Sequence, residues 1–179
     1  MSANALHSSS SNDWYTPPEI VALARHMLGG GIDLDPASNL VANRIVDADR
    51  FYNSQDNGLE CCWGGKHENV FNNPPYGGMT TKFVDKALSE KSSVIMLVNA
   101  TPGRKWFGRL VDSSQVDWFY FFRDRIQFID PVTMKRQKDP THENCFVGIR
   151  TGPPPCLDNI ELKKSQKGWY VPRDKIIIP

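Results

Sequence analysis

No feature of this chain constrains its fold more than Asn69-Val70-Phe71-Asn72-Asn73-Pro74-Pro75-Tyr76, an apolar run closed by two consecutive prolines. Proline fixes φ, donates no N–H, and disfavours the helical region for the residue before it. A strand entering through Asn69-Val70-Phe71 must therefore leave its ladder by Asn73 and continue as a rigid, extended loop with carbonyls turned outward. A plain strand-to-helix turn is one reading of such a segment. An amide, two prolines and an aromatic ring in succession argue instead for a loop that presents groups to a ligand.

The rest of the chain supplies the frame for that strand. Thr16-Pro17-Pro18-Glu19 reads as a helix start, with threonine as cap, proline in the first turn and glutamate completing a capping box. Ile20, Leu23, Ala24 and Met27 share the face that follows, and Gly29-Gly30-Gly31 is the stop. Short β-like runs then alternate with helical ones, the rhythm of an α/β fold. Strands are expected at Ile32–Asp35, Asn69–Asn72, Val94–Val98, Val116–Phe121, Arg125–Ile129 and Cys145–Ile149, with helices over Thr80–Ser89 and Arg104–Val111. The last strands have no helix between them, so the sheet should end in antiparallel pairing. Residues 1–12, with Ser8–Ser11, read as a disordered tail; 13–151 form the domain; 152–179 read as an extension that packs back through Gly168-Trp169-Tyr170-Val171.

Composition narrows the function only by exclusion. A formal charge of +1 and a pI near 7.7 mean that any nucleic-acid contact must come from a local patch. Cys61, Cys62, Cys145 and Cys156 include no C-x-x-C, and His67 and His142 lack metal-like partners, so no metal site is expected. With no apolar run long enough for a membrane span and no apolar signal core, a cytoplasmic protein without membrane partners is expected.

In an open α/β sheet, ligands lie outside the carboxyl ends of the strands, where Asp33-Leu34-Asp35-Pro36 and the Asn73 loop would both fall. Carboxylates there suit ribose hydroxyls or an ammonium group, although a solvated cap is the plainer role. The loop suits an aromatic exocyclic amine. Such an amine is a poor nucleophile because its lone pair is delocalised into the ring. The side-chain oxygen of Asn73 and the carbonyl of Pro74, held rigid by Pro75, could accept both of its N–H groups and favour the pyramidal geometry that frees the lone pair. Tyr76 would offer a face for stacking a planar base that has left the duplex.

Asn73-Pro74-Pro75-Tyr76 resembles the amino-methyltransferase signature, and the longer pattern is similar to the phage-type DNA adenine N6-methyltransferases, over roughly residues 13–150. Trp14-Tyr15-Thr16-Pro17-Pro18-Glu19 resembles the family's opening segment, which lies against the methionine part of S-adenosylmethionine, and Asp33-Leu34-Asp35-Pro36-Ala37-Ser38 resembles its first cofactor strand. Asp56-Asn57-Gly58-Leu59 before Trp63 is similar to the segment near the cofactor adenine. Lys105-Trp106-Phe107 and Arg125-Ile126-Gln127-Phe128 fall in the family's order.

The resemblance implies an S-adenosylmethionine-dependent, Rossmann-like sheet, mostly parallel with antiparallel terminal strands. The interval from Asp35 to Asn69 is short for two strand–helix units, which predicts a reduced sheet. It further implies adenine-specific DNA methylation by base flipping in a phage-infected or prophage-bearing bacterial host, in genome modification or protection from restriction. Asn73, Pro74, Pro75 and Tyr76 would be catalytic; Trp14, Tyr15, Thr16, Pro17, Asp33, Asp35, Pro36, Asp56 and Asn73 would bind the cofactor. Tyr76, Arg125, Phe128, Lys135, Arg136 and Lys138 would bind DNA, with Phe128 equally suited to the core and the basic residues equally suited to a solvated hairpin. The chain has no room for a large recognition domain, so a short or relaxed target sequence is expected. The rival readings are methylation of RNA or of a protein glutamine, a DNA-binding relative without turnover, and a subunit that needs a partner.

Overall fold

The computed structural model describes residues 14–157 and 161–176. The expected tail, residues 1–12, lies outside them.

The chain enters helix α1 (Pro18–Met27) with Pro17 as N-cap, and Ile20, Val21, Leu23, Ala24 and Met27 are buried. The capping box is absent. No side chain caps α1, and Thr16 Oγ1 instead accepts from Asn73 Nδ2 at 3.1 Å. Pro18 brings no N–H, and the amides of Ile20 and Val21 both reach the Pro17 carbonyl, so the helix start has little need of a cap. Thr16 is thereby left available for another task. At the far end the Gly29 and Gly30 amides return to the His26 and Arg25 carbonyls and close the helix.

Among the described residues the sheet has seven strands: β1 (Leu34–Asp35), β2 (Arg50–Phe51), β3 (Asn69–Asn72), β4 (Ser93–Asn99), β5 (Val116–Phe122), β6 (Asn144–Ile149) and β7 (Gly168–Pro172), in the order β2-β1-β3-β4-β6-β5-β7. The strands from β2 to β4 run parallel, and β6, β5 and β7 add on by antiparallel pairing. Between β1 and β3 lie only a seven-residue helix, α2 (Leu40–Val46), and the two-residue β2, so the parallel edge is short. Helices α3 (Gly78–Ser89) and α4 (Lys105–Asp112) connect β3 to β4 and β4 to β5.

Strand β4 shows how the layers assemble. Ile95 and Leu97 join the cluster containing Ile20, Leu23 and Met27 of α1, whereas Val94, Met96 and Val98 join Phe83 and Val84 of α3 and Phe107 of α4. Its apolar run is continuous because both sheet faces are covered. The C-terminal segment supplies β7, the last strand, paired with β5 from Trp118–Pro172 to Phe122–Gly168.

The expected strand at Arg125–Ile129 does not form. Ile126 and Phe128 are buried and Arg125 and Gln127 exposed, as in a strand, but only Ile129 pairs, with Tyr15 on one side and Arg136 on the other. Neither neighbour runs alongside for more than a single bridge.

Candidate active site

Asn72 ends β3 beneath the sheet edge, and Asn73-Pro74-Pro75-Tyr76 climbs out of it before the chain turns into α3 at Gly77. That turn uses φ +88° and ψ −138°, a region open in practice to glycine alone. The geometry fixes the orientation of Asn73. Its Nδ2 donates to the Trp14 carbonyl and to Thr16 Oγ1, each at 3.1 Å. A carbonyl can only accept, so the nitrogen of the amide must face Trp14 and the oxygen must face away. Asn73 Oδ1 is buried and has no hydrogen-bond partner. Buried oxygens of this kind are rare in folded proteins and call for an occupant.

Two cavities flank this loop. The smaller, about 300 Å³, is lined by Asn73, Pro74 and Pro75 and by Trp14, Tyr15, Thr16, Asp35 and Pro36. Asp35, 3 % exposed, turns Oδ1 to the Ala37 amide at 3.1 Å, and burial pushes its carboxyl up to about 7. Asn39 caps α2 through the Val41 and Ala42 amides, placing Ser38 and Asn39 on the same wall, with the Ser38 hydroxyl beside the Asp35 carboxyl. Opposite, Phe83 and Val46 give an apolar surface. The cavity thus joins a carboxylate and several neutral polar groups to an apolar slot.

Tyr52 and Asn53, which the sequence reading missed, complete this cavity with Asn57 and Gly58 of the segment expected near the cofactor adenine. Gly58 packs so closely on β1 that a Cβ there would lie 1.9 Å from the Pro36 carbonyl oxygen. Its own carbonyl accepts from Nε1 of the fully buried Trp63 at 2.7 Å, and Trp63 in turn stacks on Phe83. The motif Asp56-Asn57-Gly58 signalled the segment, but not which side chain faces inward. Asp56 is exposed and accepts from the Asn53 amide. Asp33 likewise does not line the cavity; its carboxylate accepts from the Asn69 amide at 2.6 Å and ties β1 to β3. Pro17 also stands outside the lining, as the N-cap of α1.

The larger cavity, about 680 Å³, lies on the other side of the loop and is lined by Tyr76, Phe128, Trp106, Arg104, Asn99 and Asn144, among others. Trp14 borders both cavities. Phe128 meets Tyr76 edge to face at 5.8 Å between ring centroids. The Tyr76 hydroxyl is buried beside the Asn144 side chain, and burial pushes its pKa up, so the phenol stays neutral. His142 lines this cavity beside Thr141, with Nδ1 2.8 Å from the Thr141 hydroxyl. The aromatic walls suit a planar group, and the polar rim suits its edges.

The basic residues divide. Lys135 and Lys138 are exposed at the hairpin between β5 and β6. Arg136 forms a bidentate pair with Glu19 of α1 at 2.6 and 2.8 Å, and Arg125 pairs with Glu143 and the Pro140 carbonyl. Among the described residues no group of three or more His, Cys, Asp or Glu could hold a metal ion, and no helix is long and apolar enough to cross a membrane.

Comparison with known proteins bears on this arrangement. Residues 3–151 match the family described as DNA N-6-adenine-methyltransferase (Dam). Over 97 residues the chain is 33 % identical to the DNA N-6-adenine-methyltransferase of Escherichia phage T1, a stretch covering 52 % of this chain and 38 % of that protein. The chain therefore matches well under half the length of that relative. The family match covers the sheet from α1 to the end of β6, including both cavities and the Asn73 loop, and by it the chain belongs to the DNA N-6-adenine-methyltransferase (Dam) family.

Proposed function

We propose that this protein transfers a methyl group from S-adenosylmethionine to the exocyclic N6 of adenine in DNA, with Asn73, Pro74 and Tyr76 as the groups that touch the base. The observation that carries this reading is the buried, unpartnered Asn73 Oδ1, held in place by the amide nitrogen it shares a side chain with. An oxygen preorganised in this way accepts from an amine without any reorganisation at the moment of reaction.

The smaller cavity fits the methyl donor by the chemistry of its walls. Asp35 offers a carboxylate to ribose hydroxyls or to an ammonium group, Asn53 and Asn57 offer edges to hydroxyls and ring nitrogens, and Phe83 and Val46 offer an apolar slot. S-adenosylmethionine supplies an electrophilic methyl group on a sulfonium centre. The chain's own residues do the rest. Asn73 Oδ1 and the Pro74 carbonyl accept the two amine hydrogens, which pyramidalises the nitrogen and frees its lone pair. With the donor bound, the lone pair so freed would take up its methyl group, leaving the thioether, and the amine would give up one proton to solvent. Tyr76 stacks against the base, and Phe128, edge to face with Tyr76, borders it.

An adenine cannot reach the larger cavity while stacked in a duplex, so the reading includes extrusion of the target base. Exposed Lys135 and Lys138 supply phosphate contacts that position the duplex without reading its sequence. The chain is similar to the DNA N-6-adenine-methyltransferase of Escherichia phage T1, and the biological role proposed is modification of a phage genome in a bacterial cell, as in protection from restriction.

The test is incubation with methyl-labelled S-adenosylmethionine and unmethylated duplex DNA, with RNA and protein acceptors in parallel, followed by digestion and mass spectrometry. The reading requires label in N6-methyldeoxyadenosine. Label confined to RNA or to protein glutamine, or to no acceptor, overturns it.

A further inference from the structure

The far wall of the larger cavity carries an amide pair that the chemistry above does not use. Asn99 closes β4, Asn144 opens β6, and the two face each other as register partners in the antiparallel ladder. Asn144 Nδ2 donates to Asn99 Oδ1 at 3.0 Å. Both residues line the cavity bounded by Tyr76 and Phe128, and Asn144 is 2 % exposed.

Joining the strand ends does not require these side chains. Backbone pairing already runs from Val94–Ile149 to Asn99–Asn144, and the neighbouring pair Val98–Cys145 is apolar and buried. An amide has two N–H donors and one oxygen with two lone pairs, so a pair sharing one hydrogen bond keeps a donor and an acceptor in reserve, whichever amide donates. Here the reserve is the Asn99 NH₂ and the Asn144 carbonyl. Polar groups held against aromatic walls cost free energy unless a ligand takes up their capacity.

Their position along the sheet identifies what they would meet. Asn72 is aligned with Met96, so Asn99 lies three residues beyond the end of β3, beside the loop that carries Asn73 to Tyr76. At roughly 3.3 Å per residue that is about 10 Å past the last β3 pair. A base stacked on Tyr76 would have the N1 edge beside its amine to present to the ends of β4 and β6, since Tyr76, Asn99 and Asn144 line one cavity.

We propose that Asn99, held by Asn144, donates a hydrogen bond to N1 of the target adenine, the ring nitrogen adjacent to the reacting amine. The pair is then a specificity-determining element, and the inference rests on the adenine-methylation reading. Adenine N1 is a bare acceptor. In guanine the corresponding nitrogen carries a hydrogen and the adjacent substituent is an oxygen, so the Asn99 donor would meet a donor and Asn73 Oδ1 would meet an acceptor. The two asparagines would read adjacent atoms of one edge, and both would reject guanine.

The experiment compares a duplex carrying a single methylatable adenine with the same duplex carrying 1-deazaadenine there, which has C–H in place of N1. Wild type, Asn99→Ala and Asn99→Asp are assayed for kcat/KM on both. Asn99→Asp keeps the acceptor for Asn144 and replaces the donors with a charge, whereas Asn99→Ala removes both groups without adding one, so each variant controls for the other. Differences in pairing strength and amine reactivity between the two bases are common to all three proteins and cancel in the comparison. The expected result is a preference of wild type for adenine about tenfold larger than that of either variant, with S-adenosylmethionine affinity unchanged. A purely structural pair would lower both activities equally. An adenine preference that is the same in wild type and both variants overturns the proposal. Failure of wild type to methylate ordinary adenine overturns the underlying reading, and is seen in the control lane.

Discussion

Asp35 sits at the carboxyl end of β1 with its carboxyl inside the smaller cavity, and replacing it with asparagine should make the protein more stable while impairing its proposed cofactor site. Burial raises its pKa from 3.8 to about 7. Each unit is worth about 1.4 kcal/mol, so a shift of about three units corresponds to a ceiling of about 4 kcal/mol. The folded chain holds this proton to higher pH than the unfolded chain does. Stability is therefore intact below about pH 4, falls by up to about 1.4 kcal/mol per pH unit as Asp35 is forced to ionise, and levels off above pH 7. Asparagine preserves the acceptor for the Ala37 amide and never ionises. The stability gap between Asp35→Asn and wild type should thus open steadily between pH 5 and 7 and stay constant from 7 to 8. Urea unfolding of both proteins across this range, with equal m-values, measures it. Calorimetry at pH 7.5 should show the variant binding S-adenosylmethionine at least tenfold more weakly. Parallel stability curves for the two proteins would refute the burial argument, and undiminished cofactor affinity would refute the assignment of Asp35 to the ligand.

Four further outcomes follow from the structure. Gly58→Ala should push the Asn53–Gly58 segment off Pro36, costing about 2 kcal/mol in chemical denaturation and weakening S-adenosylmethionine binding; wild-type behaviour in both assays would contradict the close approach. Thr16→Val removes one of the two acceptors that orient Asn73 and should lower kcat by a factor of about five, the equivalent of a hydrogen bond of about 1 kcal/mol, whereas an unchanged kcat would mean that the Trp14 carbonyl suffices. Lys135→Gln and Lys138→Gln should each reduce the salt dependence of DNA affinity by about one ion. Arg136→Gln should leave that slope alone and lower stability by about 1 kcal/mol or less through loss of the Glu19 pair, as a salt series and melting curves would show.

The parts of the fold that were legible in sequence are those where local chemistry and tertiary context agree. The double proline ended β3 at Asn72, and the apolar spacing after Thr80 marked α3, because no neighbour could alter either. At Arg125–Ile129 the alternation of buried and exposed residues was right and the strand was absent, since alternation reports which side faces the core and says nothing of whether a partner lies alongside. Thr16 failed as a cap for a comparable reason: prolines satisfied the helix start, and the hydroxyl went to a residue 57 positions away. In the site, Asp33 and Asp35 looked equivalent on paper. Alternation would put residues two apart on one face, but Asp33 precedes β1, where its carboxylate became a tie to the Asn69 amide, while Asp35 at the strand's carboxyl end entered the cavity. Asn99 and Asn144 carried no motif; only the pairing of β4 with β6 brings them together.

The central claim is that Asn73 Oδ1 is kept free to accept from the amine of the target base. The most direct test is a single-turnover assay with saturating methyl-labelled S-adenosylmethionine and duplex DNA, run on wild type and Asn73→Ala, with cofactor affinity measured on both by calorimetry. The account predicts N6-methyldeoxyadenosine from wild type, a rate at least about a hundredfold lower from the variant, and cofactor affinities within a few-fold of each other. A variant that transfers methyl groups at the wild-type rate would contradict it.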